Sequence, residues 1–178
     1  GTSLAGALRA RVTELVPETW VDDYLGAVSR DGVRSEGDIN ATASRLWVFD
    51  ASCAGNNEPK TVARTSIDRE RGAARTSTLM QAEELSAGTT FRAYLRIDDV
   101  SEQDKEVFIN ALSGWSPAFG RGTSSGHGRV MVSDLRVGEV DLAAQDDLVI
   151  WLTHSGPELV ETTATEPVAL AQAQATNT

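Results

Sequence analysis

The sequence predicts an α+β domain of the ferredoxin-like type. Apolar side chains recur at helical spacing over residues 4–15 and again over residues 107–115. A short apolar run at 46–49 and alternating apolar and polar residues at 91–97 are both typical of strands. A helix, a strand pair, another helix and a final strand suit this fold, except that its first strand is missing. We therefore expect that strand to lie upstream of Gly1.

The N-terminal helix has recognisable ends. Thr2 or Ser3 can cap its first turn. Val16 ends it, because a residue that precedes proline avoids the helical conformation. A second helix is predicted over residues 18–28. Residues 30–43 are polar and include two glycines, which predicts a loop before the first strand.

Residues 51–80 predict a long excursion from the core, in the form of a hairpin or thumb. The segment has Gly, Asn and Pro near its start, five basic residues and little apolar periodicity. An excursion of this length inside a compact domain is usually functional or disordered. Its charged stretch is either a solvated surface or an arm that contacts a partner or a nucleic-acid backbone. The candidate contact residues are Ile67, Asp68, Arg69 and Arg71.

The strand predicted at 91–97 has one apolar face and one polar face. Arg92, Tyr94 and Arg96 alternate with apolar residues, so they share a face of the sheet. RRM-like domains offer such a face to RNA bases, which makes Arg92 and Arg96 candidate RNA ligands. The alternative is a face that a neighbouring subunit covers.

The remaining elements follow in order along the chain. Ser101 and Asp104 form a predicted capping box for the helix that contains residues 107–115. Residues 129–135 are predicted to form the last strand of the main domain, which we place at 1–142. The segment 143–178 is acidic and, after a short apolar stretch, rich in Thr, Ala, Gln and Glu, which predicts a mostly flexible tail or linker.

A glycine-rich loop at 120–128 is the most informative segment. Glycines let backbone amides approach a phosphate closely, and serine and threonine hydroxyls add donors. The loop lacks the Gly-Lys-Ser/Thr of a P-loop. The alternative is a plain turn between a helix and a strand. The candidate phosphate ligands are Gly120, Arg121, Gly122, Thr123, Ser124, Ser125, Gly126 and His127.

The start of the first helix is a second candidate anion site. Free amides at a helix N-terminus bind anions, and glycines at positions 1 and 6 permit close approach. Thr2, Ser3 and Arg9 are the candidate ligands there. An ordinary capped helix is the alternative.

Charge is distributed unevenly along the chain. The net charge is −10, which argues against a nucleic-acid partner. However, residues 137–178 contain seven acidic residues and no Lys or Arg, so residues 1–136 have a net charge of only −3. Arginine, which binds phosphate in a bidentate manner, supplies 14 of the 16 basic residues.

Several classes of protein are disfavoured by composition. A single cysteine, Cys53, permits no internal disulfide, and two histidines with one cysteine disfavour a zinc site. No nucleophile-elbow motif is present, and no apolar run approaches the roughly 18 residues of a membrane span. A cytoplasmic protein without a metal or cofactor of its own is therefore expected.

Three motifs, taken in order, resemble the RAMP superfamily of CRISPR-associated proteins, most closely the backbone subunit of type III effector complexes. Residues 1–9 resemble the helix start Gly-Ser-Ser-Leu-Lys-Gly-x-x-Arg of that family. Residues 65–91 resemble its Ile-Asp-Arg-x-x-Gly-x-Ala segment and the strand entry that follows. Residues 120–130 resemble its glycine-rich loop, which ends in Gly-x-Gly-Arg-Val.

The resemblance implies an RRM-like domain that polymerises along a CRISPR RNA in the cytoplasm of a prokaryote. In such subunits the helix start and the glycine-rich loop hold the guide RNA, and the thumb kinks the duplex of guide and target RNA. Other RAMP subunits are implied as partners. Backbone subunits cut target RNA with an aspartate and a divalent metal such as Mg²⁺. That aspartate lies upstream of the helix-start motif, so no catalytic residue is assigned here.

Two departures from the family pattern keep other functions open. Ala5 replaces the usual lysine, which removes one expected phosphate contact, and the C-terminal region is acidic. Both fit a structural interaction module whose RNA contacts have decayed. A stand-alone RAMP ribonuclease is a further alternative. Such enzymes commonly use an early histidine, whereas the first one here is His127.

Overall fold

The computed structural model combines helices with short antiparallel strand pairs. It describes residues 1–26, 42–55, 57–65, 67–74 and 79–170. The chain divides into two compact units, one formed by Gly1–Asp50 with Tyr94–Thr178 and the other by Ala51–Ala93. Most of the loop predicted at 30–43 and the end of the predicted tail, 171–178, lie outside the described residues.

The elements are α1 (Thr2–Thr13), α2 (Glu18–Leu25), β1 (Leu46–Val48), β2 (Ser52–Ala54), β3 (Lys60–Arg64), β4 (Ile67–Asp68), β5 (Ala73–Ala74), β6 (Met80–Glu84), β7 (Thr90–Arg92), β8 (Leu95–Ile97), α3 (Glu102–Leu112), β9 (Arg136–Val137), α4 (Gln145–Thr153), α5 (Gly156–Thr163) and β10 (Glu166–Pro167). The helices predicted at the N-terminus, after Pro17 and after Ser101 are all present.

The core of the first unit lies between α1, α2, α3 and β1. Trp20, Tyr24 and Phe108 form an aromatic cluster, with ring centroids 4.5 Å apart for the first two and 5.0 Å for Trp20 and Phe108. The buried side chains of this core cluster are Leu8, Val12, Val21, Tyr24, Leu46, Phe108, Ala111 and Trp115. The apolar stripes predicted for the first and third helices therefore do face the core.

The capping box predicted for α3 is present and also ties α3 to α2. The Ser101 hydroxyl accepts from the Asp104 amide at 3.1 Å. The Asp104 carboxylate accepts from Trp20 Nε1 at 2.6 Å and from the Tyr24 hydroxyl at 2.7 Å. The hydrogen bond from the Ser101 hydroxyl, followed by those from Trp20 and Tyr24, holds the pKa of Asp104 below its usual range.

Asp104 should therefore make stability depend on pH in acid. Because its folded-state pKa is depressed, its contribution is present above the unfolded pKa of about 3.9 and is lost as the pH falls through the folded value. We expect Asp104→Asn to be less stable than wild type at pH 7 and the difference to narrow below about pH 4. Urea unfolding at a series of pH values measures this. A difference that stays constant with pH would contradict it.

The predicted strand at 91–97 is not continuous. It breaks between Ala93 and Tyr94, with β7 in the second unit and β8 in the first. The Phe49 amide donates to the Tyr94 carbonyl at 3.1 Å, so the β1–β8 pairing ends there, and Arg92 pairs with Ser52 instead. The predicted single strand is therefore two strands, and Arg92 belongs to a different unit from Tyr94 and Arg96.

The second unit is a long hairpin whose strands pair in a nested order. β2 pairs with β7, β3 with β6 and β4 with β5, all antiparallel. The excursion predicted at 51–80 lies within this unit, which has the form of a hairpin and extends to Ala93. Its last strand, β7, ends at Arg92.

The prediction of a last strand at 129–135 is also wrong. Within the described residues this segment makes only an isolated bridge, between Ala118 and Arg129. It runs beside the segment that follows α3, where the Val130 amide donates to the Pro117 carbonyl at 2.9 Å. Its alternating apolar residues therefore accompany a loop rather than a sheet.

The C-terminal region differs from the mostly flexible tail predicted at 143–178. It contains α4 and α5, and β9 pairs with β10. Leu159 of α5 is 3 % exposed, and the Thr163 carbonyl lies 1.9 Å from the place where a Cβ on Gly138 would stand. Close packing of this kind orders the region, which composition could not reveal.

Candidate nucleic-acid interface

The glycine-rich loop at 120–128 is closed by backbone contacts at its base. The Phe119 amide donates to the Gly128 carbonyl at 2.9 Å. Gly128 has a φ of 72°, and a Cβ there would lie 1.9 Å from the Phe119 carbonyl oxygen. Only glycine fits this position, because a side chain would break the closure.

The interior of the loop is braced by its own backbone. Gly122 and Gly126, both left-handed, flank a 3-10 turn at Thr123–Ser125. The amides of Ser125 and His127 donate to the Gly122 carbonyl, and that of Gly126 donates to Thr123. These three amides are therefore directed inward, contrary to the expectation that the backbone would face a phosphate. The exposed groups are the side chains of Arg121, Thr123, Ser124, Ser125 and His127.

The helix start lies beside a cleft of about 340 Å³ between α1 and β1. Thr2 and Ser3 are exposed on the first turn, and Gly1 is the N-cap. A Cβ on Gly6 would meet nothing within 4 Å. At this end of the helix the Gly1 ammonium pairs with the Asp50 carboxylate, and the anion site stays a prediction.

Arg9 is held by the protein itself. Its guanidinium donates to the carbonyls of Leu25 and Gly26, at 2.9 and 2.8 Å, and pairs with Asp22 at 2.9 Å. These bonds satisfy carbonyls at the C-terminal end of α2, which otherwise lack helical partners. Arg9 thus braces α2 in this structure, a role that the sequence pattern did not reveal.

The predicted thumb residues lie at a turn in the second unit. The Asp68 carboxylate accepts from the amides of Glu70 and Arg71, at 2.9 and 3.3 Å, so it shapes the turn between β4 and β5. Ile67 is 68 % exposed, and Arg69 and Arg71 are exposed too. The motif therefore presents an apolar side chain and two cations on the surface of the hairpin.

A family model described as the RAMP superfamily matches residues 1–131. The match includes α1, the hairpin and the whole glycine-rich loop. The chain belongs to the RAMP superfamily. This membership confirms the resemblance at the level of the superfamily and indicates a CRISPR-related, RNA-binding role. None of the curated proteins compared with the chain matches it.

Arg96, a predicted RNA ligand of this RAMP chain, is covered from both sides by aromatic rings. Its guanidinium carbon lies 4.7 Å from the Trp47 ring centroid and 4.9 Å from that of Trp151 in α4, and Nε pairs with Asp98 at 2.9 Å. The side chain is 22 % exposed. The C-terminal helices of the same chain thus occupy part of a face that sequence reasoning left to RNA or to another subunit.

Replacing Arg96 by alanine should weaken the packing of α4 within the first unit. Loss of two cation–π contacts is expected to lower the free energy of unfolding by about 1 kcal/mol and to shift tryptophan emission to longer wavelength as Trp151 meets water. Thermal unfolding and fluorescence spectra measure both effects. Arg136→Ala, which removes an exposed arginine, is the control. Spectra and stability equal to those of the control would disprove the stacking role.

The described part of the chain offers no group of three or more His, Cys, Asp or Glu side chains that could hold a metal ion. Cys53 is exposed, and His154 contacts the end of its own helix through the Ile150 carbonyl. The helices of the described ranges also include none that is long and apolar enough to cross a membrane.

Proposed function

We propose that this RAMP chain is a guide-RNA-binding backbone subunit of a type III-like effector complex. The observation that carries the proposal is the braced glycine-rich loop, whose closure requires Gly128 and whose hydroxyl and arginine side chains face solvent. A loop fixed in this way can hold a sugar–phosphate backbone without reading its bases.

The local charge supports the proposal despite the acidic total. Residues 113–133 contain Arg121, Arg129 and no Asp or Glu. Phosphate contacts depend on charges near the contact, because charges beyond about 10 Å are largely screened at moderate salt. The loop is therefore a locally cationic surface on an acidic chain.

The finer parts of the proposal rest on superfamily membership. We propose a ferredoxin-like core for the first unit, a thumb role for the hairpin, and target RNA and other RAMP subunits as partners in a prokaryotic cytoplasm. Target cleavage with Mg²⁺ is proposed for the complete complex only, since no described residue is assigned to it.

A direct binding measurement tests the proposal. Fluorescence anisotropy with a labelled single-stranded RNA should show binding at low salt. The logarithm of the affinity should fall with the logarithm of the salt concentration by about 0.7 per phosphate contact. Absence of RNA binding by the folded chain at low ionic strength would overturn it.

One observation favours a second candidate, a structural module of the same kind of complex. Two of the predicted RNA ligands, Arg9 and Arg96, are held by contacts within the chain. Such a module would join a complex of RAMP subunits without binding RNA itself, so the same anisotropy measurement separates the two candidates.

A further inference from the structure

A second cleft, of about 430 Å³, lies on the first unit between α1 and the segment that follows α3. Ala7, Ala10 and Arg11 contribute the α1 wall, together with Glu14. Residues 114–118 form the other wall. The small side chains on α1 leave room for an extended backbone to approach the helix.

Arg11 is the cationic group of this cleft, and part of its hydrogen-bonding capacity is not used within the protein. Its Nη1 reaches Glu14 at 3.3 Å, one turn further along the same helix. Its Nε is shielded from solvent and has no hydrogen-bond partner within the described residues. Glu14 is 69 % exposed, so it can turn away to water when an anion takes its place. Arg9, by contrast, is bonded to the C-terminal end of α2 through both of its terminal nitrogens.

The cleft adjoins the glycine-rich loop along the chain. Its wall at 114–118 ends at Ala118, which bridges to Arg129, and the next residue, Phe119, closes the loop on Gly128. A strand that lies on the loop can therefore continue along this wall toward α1.

We propose that Arg11 binds a backbone phosphate of the RNA strand that the glycine-rich loop holds. The inference rests on the proposed function. A guanidinium offers paired N–H donors that match two phosphate oxygens. The contact is independent of base sequence, since it reads only the phosphate. Arg11 thus provides a cation on α1 for the RNA, whereas the guanidinium of Arg9 is bonded to α2.

Arg11→Ala tests this in the full chain with a labelled single-stranded RNA. Anisotropy should show an affinity lower by about tenfold at low salt and a salt slope smaller by about 0.7, the value for one lost phosphate contact. Arg11→Lys, which keeps the charge, should restore the slope and part of the affinity. Arg136→Ala is the matched control, because it removes one exposed arginine near a carboxylate of its own.

The outcomes separate this inference from the function it rests on. If wild type binds RNA and Arg11→Ala has the affinity and slope of Arg136→Ala, the Arg11 contact is wrong and the proposed function stands. If the folded wild type binds no RNA, both fail. A loss of affinity with an unchanged slope would also overturn the phosphate contact, because it would indicate a structural role.

Discussion

Gly128→Ala is expected to lower RNA affinity by more than about tenfold, because the phosphate contacts that we propose for the loop all depend on one closure. The new Cβ would stand 1.9 Å from the Phe119 carbonyl oxygen, and the backbone there has a left-handed φ of 72°. Both strains are relieved by opening the base of the loop, which separates its exposed hydroxyls from Arg121. RNA titrations followed by anisotropy measure the loss.

Gly126→Ala is the matched control within the same loop. Gly126 is also left-handed, with a φ of 81°, but a Cβ there would meet nothing within 4 Å. It should therefore cost only the backbone strain of about 1–2 kcal/mol and reduce affinity less than Gly128→Ala. Circular dichroism establishes that both variants are folded. Equal affinity of Gly128→Ala and wild type would mean that the loop does not hold RNA.

Phe108→Ala is expected to lower the free energy of unfolding by about 3–5 kcal/mol, as for large aromatic residues in other cores. Phe108 is 3 % exposed and packs against Trp20 and Tyr24. Its removal leaves a cavity between α2 and α3, next to the hydrogen bonds that Asp104 accepts from both aromatic partners. Chemical denaturation gives the value.

The control is Phe91→Ala in the second unit. Phe91 is 43 % exposed on β7, where it pairs with Cys53. Surface substitutions of this kind usually change stability by less than about 0.5 kcal/mol. A Phe108→Ala variant no less stable than Phe91→Ala would show that the aromatic cluster does not hold the first unit together.

Local signals in the sequence predicted α1, α2 and α3. The spacing of Leu4, Leu8 and Val12, the proline before α2 and the pair Ser101–Asp104 each act within a few residues, and each has the expected place in the structure. Periodicity and capping are properties of neighbouring residues, so a sequence contains them directly.

The strands were harder to predict because their pairing is not local. The alternating pattern at 91–97 correctly predicted strand structure for part of this segment. No local signal indicates that the hairpin ends at Ala93 or that the chain from Tyr94 onward pairs with β1 instead of β2. The sequence did not predict α4 and α5. Trp151 contacts Arg96 and Leu159 is buried, and contacts of this kind join residues that are distant in sequence. Composition at 143–178 contained no sign of those contacts.

For the candidate site, the sequence indicated which segments to consider but not how their backbone and side chains are arranged. The glycines predicted a loop with unusual backbone conformations. The inward direction of three of its amides depends on a turn geometry that the motif does not specify. Arg9 was predicted as a ligand because it stands in the helix-start motif. The structure shows Arg9 bonded to the end of α2 and Arg11 in a cleft beside the loop.

The most direct test of the central claim is to purify the native protein from its own cells and to sequence any nucleic acid that it carries. A guide-binding RAMP subunit should yield discrete small RNAs that share a repeat-derived end. Protein that is free of RNA while its partner subunits are present would contradict guide binding and would support the structural module instead.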